Sequence, residues 1–242
     1  MATRPPAIFY APHSDDSYLS MSTDIVQHID AGRDIIVILA TLGSSQYMQN
    51  VLNGLADTYE GHRHNPVLEN YEVSPLTPTD IEIARENEFV SEIGAYRLYA
   101  NGRVNVSWRV VGYPEGLSVQ TAKEVIREYE LQYPGASHKV MTYLDSHSDH
   151  KNMGQAALEL KNAGLISDVR YYIKLEDQNR NDIKSKNPMT NRPNVTQKVA
   201  IERAGRGFKA WNPPAGSYAF GLHSVKPTFD ALALDPKSVL HV

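Results

Sequence analysis

The sequence predicts an α/β fold with a mostly parallel central sheet, and three observations support this class. An apolar run at Ala7–Ala11 is followed by a helical pattern and by a second apolar run from Asp34 to Thr41. Strand, helix and strand within about 35 residues form a βαβ unit, and continuous apolar runs are typical of parallel strands buried on both faces. The alternation recurs from Lys139 to Ile173. Helices on both faces of such a sheet give a Rossmann-like three-layer sandwich.

Length and composition indicate one globular domain that covers residues 1–242. The chain has 41% hydrophobic and 21% charged residues, a net charge of -4 and no cysteine. This charge argues against a nucleic-acid binder, and the lack of cysteine means that any metal must be held by histidines and carboxylates. No apolar run approaches the ~20 residues of a membrane span, and the N-terminus lacks the apolar region of a signal peptide. We therefore expect a cytoplasmic protein.

Apolar residues at helical spacing predict four helices before residue 165, which begin near Tyr18, Thr77, Ser118 and His150. The clearest start is Thr77-Pro78-Thr79-Asp80, where Thr77 caps the helix, Pro78 takes the first helical position and Gly94 marks the end. Between and after the helices, short apolar segments predict strands at Tyr96 to Tyr99, Val104 to Val111, Lys139 to Leu144 and Val169 to Ile173.

Two segments are predicted as long loops, at residues 42–79 and 174–194. The first contains tyrosines, His62 and His64, a composition that suits an ordered flap in contact with a substrate or an ordinary surface excursion. The second is polar and rich in Pro and Asn, and we expect it to be mobile. The tail predicts a helix near Val195 to Arg206, an aromatic stretch around Trp211 and a closing helix after Pro227.

A polar cluster, His13-Ser14-Asp15-Asp16, follows the first predicted strand. Its simplest interpretation is a helix start, in which Ser14, Asp15 or Asp16 caps the next helix. The alternative is a ligand site, because ligands bind outside the carboxyl ends of the strands in α/β sheets. A second cluster decides between them.

Asp145-Ser146-His147-Ser148-Asp149-His150 repeats the same context, since it also follows a predicted strand and leads into a helix. Neighbouring parallel strands would bring His13, Asp15 and Asp16 close to these residues across one crevice. Two histidines and one carboxylate with an open position are the ligands of a hydrolytic zinc site, where the pKa of bound water falls to about 7. A spare carboxylate and a spare imidazole supply a base and an oxyanion stabiliser.

These residues resemble the motifs of the LmbE/PIG-L family of zinc-dependent sugar N-deacetylases. The family hallmarks are A-H-P-D-D-E and H-P-D-H, which stand here as Pro12-His13-Ser14-Asp15-Asp16-Ser17 and His147-Ser148-Asp149-His150. The resemblance implies that His13, Asp16 and His150 ligate the metal. It further implies that Asp15 is the general base and that His147, oriented by Asp149, is the acid or oxyanion stabiliser.

Several positions depart from the family pattern or match it weakly. Ser14 and Ser148 replace prolines, and Ser17 replaces the glutamate that follows the aspartate pair. Arg85 and Glu88 match an R-x-x-E pattern in which Arg contacts substrate, although such a pair can also be a surface ion pair. The remaining candidate substrate contacts are His62, His64, His223 and Trp211, of which His223 is the nearest match to a C-terminal family histidine.

The resemblance implies removal of an N-acetyl group from an N-acetylglucosamine-type sugar, with one zinc ion per chain. Iron(II) would accept the same ligands. The long aromatic loop favours a bulky conjugate, such as an antibiotic scaffold. Two alternatives stay open: a metal-dependent hydrolase of another amide or ester, and a catalytically silent carbohydrate-binding protein. A dinucleotide-binding protein is disfavoured because G-x-G-x-x-G is missing. The sequence does not indicate an oligomeric state.

Overall fold

The computed structural model describes residues 4–43, 45–69, 71 and 75–242. No helix in these ranges has the length and apolar character needed to cross a bilayer. In chain order the strands and helices are β1 (Ala7–Ala11), a π-helical turn (Ser17–Met21), α1 (Ser22–Asp30), β2 (Ile35–Thr41), α2 (Gln46–Leu52), α3 (Pro78–Ala100), β3 (Val106–Tyr113), α4 (Val119–Gln132), β4 (Ser137–Met141), α5 (Ser148–Asn162), β5 (Asp168–Tyr172), α6 (Asn181–Lys184), β6 (Met189–Asn191), α7 (Val195–Ala204), β7 (Trp211–Asn212), β8 (Ser217–Tyr218), α8 (Phe220–Ser224), α9 (Lys226–Leu234) and β9 (Ser238–His241). Short 3-10 turns lie at Leu175–Asp177, Gly207–Lys209 and Pro213–Ala215.

In the described part of the chain, seven strands form one sheet in the order β3-β2-β1-β4-β5-β9-β6. The first five of these are parallel to one another, and β9 runs antiparallel to β5 and to β6. The chain moves outward from β1 to β3 and then returns to place β4 against the other side of β1. The strand order therefore reverses between β1 and β4, which is where ligands bind in such sheets.

Helices cover both faces of this sheet, and side chains of successive strand residues enter two separate cores. On β1, Phe9 packs in a core with α1, α3 and α7, whereas Ile8 and Tyr10 pack in a core with α4 and α5. The same alternation along β2 sends Val37 to the first core and Ile38 to the second. The predicted three-layer α/β sandwich is confirmed.

The prediction that a helix ends at Gly94 and a strand spans Tyr96 to Tyr99 is wrong, because α3 continues to Ala100. Phe89, Ile93 and Tyr96 recur at helical spacing, and all three are buried in the first core. Gly94 lies inside the helix, which ends instead at Asn101, where the backbone turns left-handed with φ 47°. The predicted start is confirmed, since Thr77 and Asp80 form a reciprocal capping box.

The two predicted loops contain more regular structure than expected. Residues 42–79 include α2, although Ser44, Asn70 and residues 72–74 of this stretch lie outside the described residues. The segment predicted as mobile, 174–194, contributes α6 and the edge strand β6, which pairs with β9 through Thr190 and Val239. Both strands were missed because their pairing is long-range and β6 is too short to show a pattern. The predicted helices at Val195 and after Pro227 are α7 and α9.

Gly154 of α5 permits close packing of this helix against the end of β4, and its replacement gives a stability prediction. A Cβ atom there would lie 2.3 Å from the Tyr143 nitrogen and 2.4 Å from the Met141 oxygen, which are backbone atoms. We expect Gly154→Ala to lower the free energy of unfolding by about 3 kcal/mol. Urea unfolding measures this change.

The matched control is Gly94→Ala in α3, because a Cβ atom there would meet nothing within 4 Å beyond the adjoining helix backbone in the described part of the chain. That variant should gain about 0.5–1 kcal/mol from helix propensity. Equal effects of the two substitutions would contradict the packing of α5.

Candidate metal centre

The turn after β1 folds the Asp16 carboxylate back onto His13. Asp16 Oδ2 accepts a hydrogen bond of 2.7 Å from the His13 backbone nitrogen, and Asp16 makes no side-chain cap to the following helix. The capping interpretation is therefore wrong for Asp16. The next residue starts a π-helical turn, a rare geometry that recurs at functional sites. Ser17 anchors this turn, since its hydroxyl donates to Glu92 Oε2 at 2.8 Å.

The turn after β4 presents the second cluster in the first turn of α5. His147 is the N-cap residue, and Asp149 and His150 are buried in the first turn. Asp145 stabilises this arrangement, because its Oδ1 accepts a hydrogen bond of 2.8 Å from the His147 backbone nitrogen. Since β1 and β4 are adjacent, the two turns face each other across one crevice.

Three side-chain atoms converge between these turns: His13 Nδ1, Asp16 Oδ2 and His150 Nε2. The His13–His150 distance is 3.1 Å, the His13–Asp16 distance is 3.2 Å and the His150–Asp16 distance is 3.1 Å. In a tetrahedral zinc site with bonds of 2.0–2.1 Å, neighbouring ligand atoms lie about 3.3 Å apart. The spacing of this triangle thus fits a zinc-sized ion.

The outward nitrogens of both imidazoles face buried carboxylates. His13 Nε2 lies 3.4 Å from Asp149 Oδ2, and His150 Nδ1 lies 3.2 Å from Asp145 Oδ2. A proton held on each outward nitrogen leaves the inward nitrogen with a lone pair for a metal. Such carboxylate–histidine contacts are typical of metal sites, where they orient the ligands. The donor set and its surroundings both fit a divalent metal.

The electrostatics of the cluster also favour a cation between these groups. Burial lowers the pKa of His13, but Asp149 and Asp16 outweigh it and raise that pKa to about 9. Burial acts against His150 in the same way, whereas Asp16 and Asp145 raise its pKa to about 10. Burial raises the pKa of Asp16, but His150 and His13 hold it well below the usual range. The field of these carboxylates stabilises positive charge, whether a proton or a metal carries it.

Asp15 and His147 line the cavity above the triangle, close to the candidate metal ligands. His147 offers a nitrogen within 4.8 Å of nitrogens of His13 and His150. Its Nδ1 accepts a hydrogen bond of 3.2 Å from the backbone nitrogen of Asp149. The expectation that the Asp149 side chain orients His147 is contradicted, because that carboxylate contacts His13 Nε2 and accepts from the Gly116 nitrogen at 3.1 Å.

Arg85 reaches the same cavity from α3. Its Nε donates to Ser14 Oγ at 3.2 Å, its Nη1 donates to the Gly43 oxygen at 3.0 Å, and its Nη2 lies 3.8 Å from Asp15 Oδ1. Glu88 is buried and accepts from the Phe220 backbone nitrogen at 2.9 Å. The alternative of an exposed Arg85–Glu88 ion pair is therefore wrong.

The cavity above the triangle has a volume of about 320 Å³. Two charged residues at or beside it, Asp145 and Lys174, are absent from the site residues predicted from the sequence. Asp145 bonds a candidate ligand, and Lys174 Nζ lies 3.2 Å from Asp145 Oδ1. Asp145 directly precedes the second motif, and Lys174 follows β5, the strand next to β4. Both could have been found by applying the strand-end argument to every parallel strand.

Four predicted substrate contacts lie elsewhere. His62, His64, His223 and Trp211 line a second cavity of about 400 Å³, and none of them lines the cavity above the triangle. His223 turns away because its Nδ1 donates to the Tyr218 oxygen at 2.9 Å, although the next residue, Ser224, does line the first cavity. The sequence alone does not show that the side chains of the adjacent residues His223 and Ser224 face different cavities.

The model of one protein family, described as GlcNAc-PI de-N-acetylase (PIG-L), matches residues 8–161, which is more than half of the chain. The chain belongs to the PIG-L family. The matched range starts in β1 and ends in α5, so it contains both motif turns. This confirms the resemblance and identifies the protein as an enzyme of the metal-dependent N-deacetylase type. The sequence matches no curated protein.

Several solved structures share the fold of this chain over almost its whole length. A triple mutant of a deacetylase from the teicoplanin biosynthetic pathway is 14% identical, with a TM-score of 0.61 and coverage of 98% of this chain and 96% of that one. The N,N'-diacetylchitobiose deacetylase of Pyrococcus horikoshii is 16% identical, with a TM-score of 0.52 and coverage of 95% and 77%. A 4-carboxy-2-hydroxymuconate hydratase from Pseudomonas putida is 11% identical, with a TM-score of 0.52 and coverage of 98% and 95%.

Asp145 gives a direct prediction for this site. Asp145→Asn should weaken the affinity for zinc by about 10–100-fold, because the carboxylate that orients His150 loses its charge. Competition with a chromophoric chelator measures the affinity. Glu176→Gln is the control, since Glu176 lines the same cavity but is exposed and contacts Lys174 at 3.5 Å instead of a candidate ligand. Equal affinities of the two variants would exclude this role for Asp145.

Proposed function

We propose that this PIG-L protein hydrolyses the N-acetyl group of an N-acetylglucosamine-type sugar carried on a larger conjugate. The observation that carries this proposal is the triangle of His13, Asp16 and His150 with Asp15 and His147 beside it. Zinc is the proposed metal, held by these three side chains, and it would supply Lewis acidity to water and to the acyl oxygen.

The Asp15 carboxylate is accessible from the cavity, as a general base must be. It is only partly buried, it lines the cavity, and Arg85 lies at 3.8 Å from its carboxylate. In the proposed reaction Asp15 takes a proton from the attacking water while the water oxygen bonds to the acetyl carbon. The carbon–nitrogen bond then breaks, and Asp15 passes its proton to the departing amine. The products are acetate and a free amino sugar.

His147 is proposed to stabilise the oxyanion. Burial and the charges of His13 and His150 lower the pKa of His147, which favours a neutral ring at pH 7. Because its Nδ1 accepts from the Asp149 nitrogen, the one proton of a neutral ring lies on Nε2. A neutral imidazole is a poor acid but a good hydrogen-bond donor, so this tautomer suits the negative oxygen that develops during attack.

The shape of the site supports a conjugate as substrate. The cavity of about 320 Å³ lies at the lower end of the range for small-molecule sites, so a single sugar would occupy much of it. Residues 45–69 expose several large apolar side chains, which suit contact with a non-polar part of a conjugate: Tyr47, Leu55, Tyr59, Val67 and Leu68. One structural relative is a deacetylase of the teicoplanin biosynthetic pathway, and an antibiotic scaffold is the conjugate we favour.

Acetate release tests this proposal. Wild-type protein loaded with zinc should release acetate from N-acetylglucosamine conjugates, and Asp15→Asn should lower kcat by about 10²–10⁴-fold. Zinc content should stay at the wild-type level in this variant, because Asp15 is not one of the three converging ligands. Glu176→Gln should keep both activity and zinc.

The substrate panel separates the alternatives. Release from longer N-acyl sugars as fast as acetate release would favour a broader amide hydrolase. Water addition to an unsaturated acid without any acetate release would favour the reaction named for the hydratase relative. If the wild-type protein binds sugars without zinc, and Asp15→Asn does not change this binding, a carbohydrate-binding protein would be favoured. Equal turnover of free N-acetylglucosamine and of every conjugate would contradict the proposed substrate class.

A further inference from the structure

The cavity around His64 and His223 is separate from the candidate metal centre. In the described residues, the two cavities share no lining residue. This second cavity lies between the segment that precedes α3 and the tail around α8, and its lining includes His62, Glu69 and Trp211. The proposed deacetylation uses none of these side chains.

The Nε2 atoms of two imidazoles lie close together in this cavity. His64 Nε2 lies 3.0 Å from His223 Nε2. The other ring nitrogen of each histidine is already engaged: His64 Nδ1 lies 2.9 Å from Glu69 Oε2, and His223 Nδ1 lies 2.9 Å from the Tyr218 carbonyl oxygen. Because a carboxylate and a carbonyl only accept, both Nδ1 atoms carry the proton. When both rings are neutral, their Nε2 lone pairs therefore point at each other.

Facing lone pairs at 3.0 Å repel unless a cation lies between or beside them. A proton shared between the two Nε2 atoms is one such cation. A metal ion resolves the conflict without a proton. The Nε2–Nε2 distance is close to the value of about 3.3 Å for two nitrogen ligands of one tetrahedral zinc ion.

The surroundings hold both rings in this orientation. His64 stacks on Trp211 with ring centroids 4.7 Å apart and planes at 13°. Glu69 is itself fixed, since its Oε1 accepts from the Asn65 backbone nitrogen at 2.7 Å. Histidine ligands of metals are held in this way, by a carboxylate or a backbone carbonyl on the second nitrogen.

We propose that His64 and His223 form a second metal site, which takes a late first-row divalent ion such as Zn²⁺, Ni²⁺ or Cu²⁺. Imidazole ligands suit these ions. The remaining coordination positions face the cavity and are open to water or to a small ligand. A metal held here ties residues 45–69 to α8, whose last residue, Ser224, lines the first cavity.

Metal stoichiometry tests this proposal. After equilibrium dialysis against Zn²⁺, the wild-type chain should hold two equivalents, and His64→Gln and His223→Gln should each hold one. Retention of the first equivalent shows that these variants fold. His62→Gln is the matched control, because His62 lines the same cavity but is exposed, and its Nε2 lies 3.8 Å from the Glu60 carboxylate instead of facing another imidazole. It should hold two equivalents.

Electron paramagnetic resonance of bound Cu²⁺ gives a second readout. In a chain with Asp16→Asn and His13→Gln, which removes the first site, the spectrum should show nitrogen couplings from two imidazoles. Adding His223→Gln should abolish them. A wild-type chain that binds one equivalent of zinc, or copper couplings that survive His223→Gln, would overturn the second site. Acetate release is measured separately, so this failure is distinguishable from failure of the deacetylase proposal.

Discussion

The parallel pairing of β1 with β4 is the constraint on which the candidate site depends. Ala7 of β1 pairs with Ser137 of β4, although these two residues are 130 positions apart in sequence. This register brings the turn with His13 and Asp16 against the turn with His150. A slip of the pairing, or a strand inserted between β1 and β4, would separate the three converging atoms. Helices cover both faces of this pairing, and Gly154 lets α5 approach the backbone at the end of β4.

Several charged side chains are buried at the site, and their desolvation has a free-energy cost that metal binding would offset. Asp16, Asp145 and Asp149 are all buried within one small region, together with two imidazoles that their charges push towards protonation. Desolvation of carboxylates is unfavourable unless charge or hydrogen bonds compensate it. Lys174 and the backbone nitrogens of His13, Gly116 and His147 provide part of this compensation. A divalent ion bound by the triangle would supply more positive charge at the same point.

The sequence predicted the parallel strands and the motif turns because both depend on local patterns. Apolar runs identified β1 and β2, and the His-Asp clusters followed strands whose adjacency is typical of an α/β sheet. One failed prediction concerns a local pattern: Gly94 does not end α3, because Tyr96 continues the buried face that Phe89 and Ile93 begin. The other predictions failed where distant residues decide the outcome. The pairing of β6 with β9, the direction of His223 and the contact of Asp149 with His13 depend on residues far apart in sequence.

The central claim is that His13, Asp16 and His150 hold one metal ion at the junction of β1 and β4. Zinc-edge X-ray absorption of the His223→Gln variant, loaded with one equivalent of zinc, tests it most directly because the proposed second site is removed. The account predicts nitrogen and oxygen neighbours at about 2.0–2.1 Å, with outer-shell scattering from two imidazoles. That outer-shell scattering should weaken to one imidazole in the double variant that also carries His150→Gln. An oxygen-only shell, or a spectrum unchanged by His150→Gln, would contradict the claim.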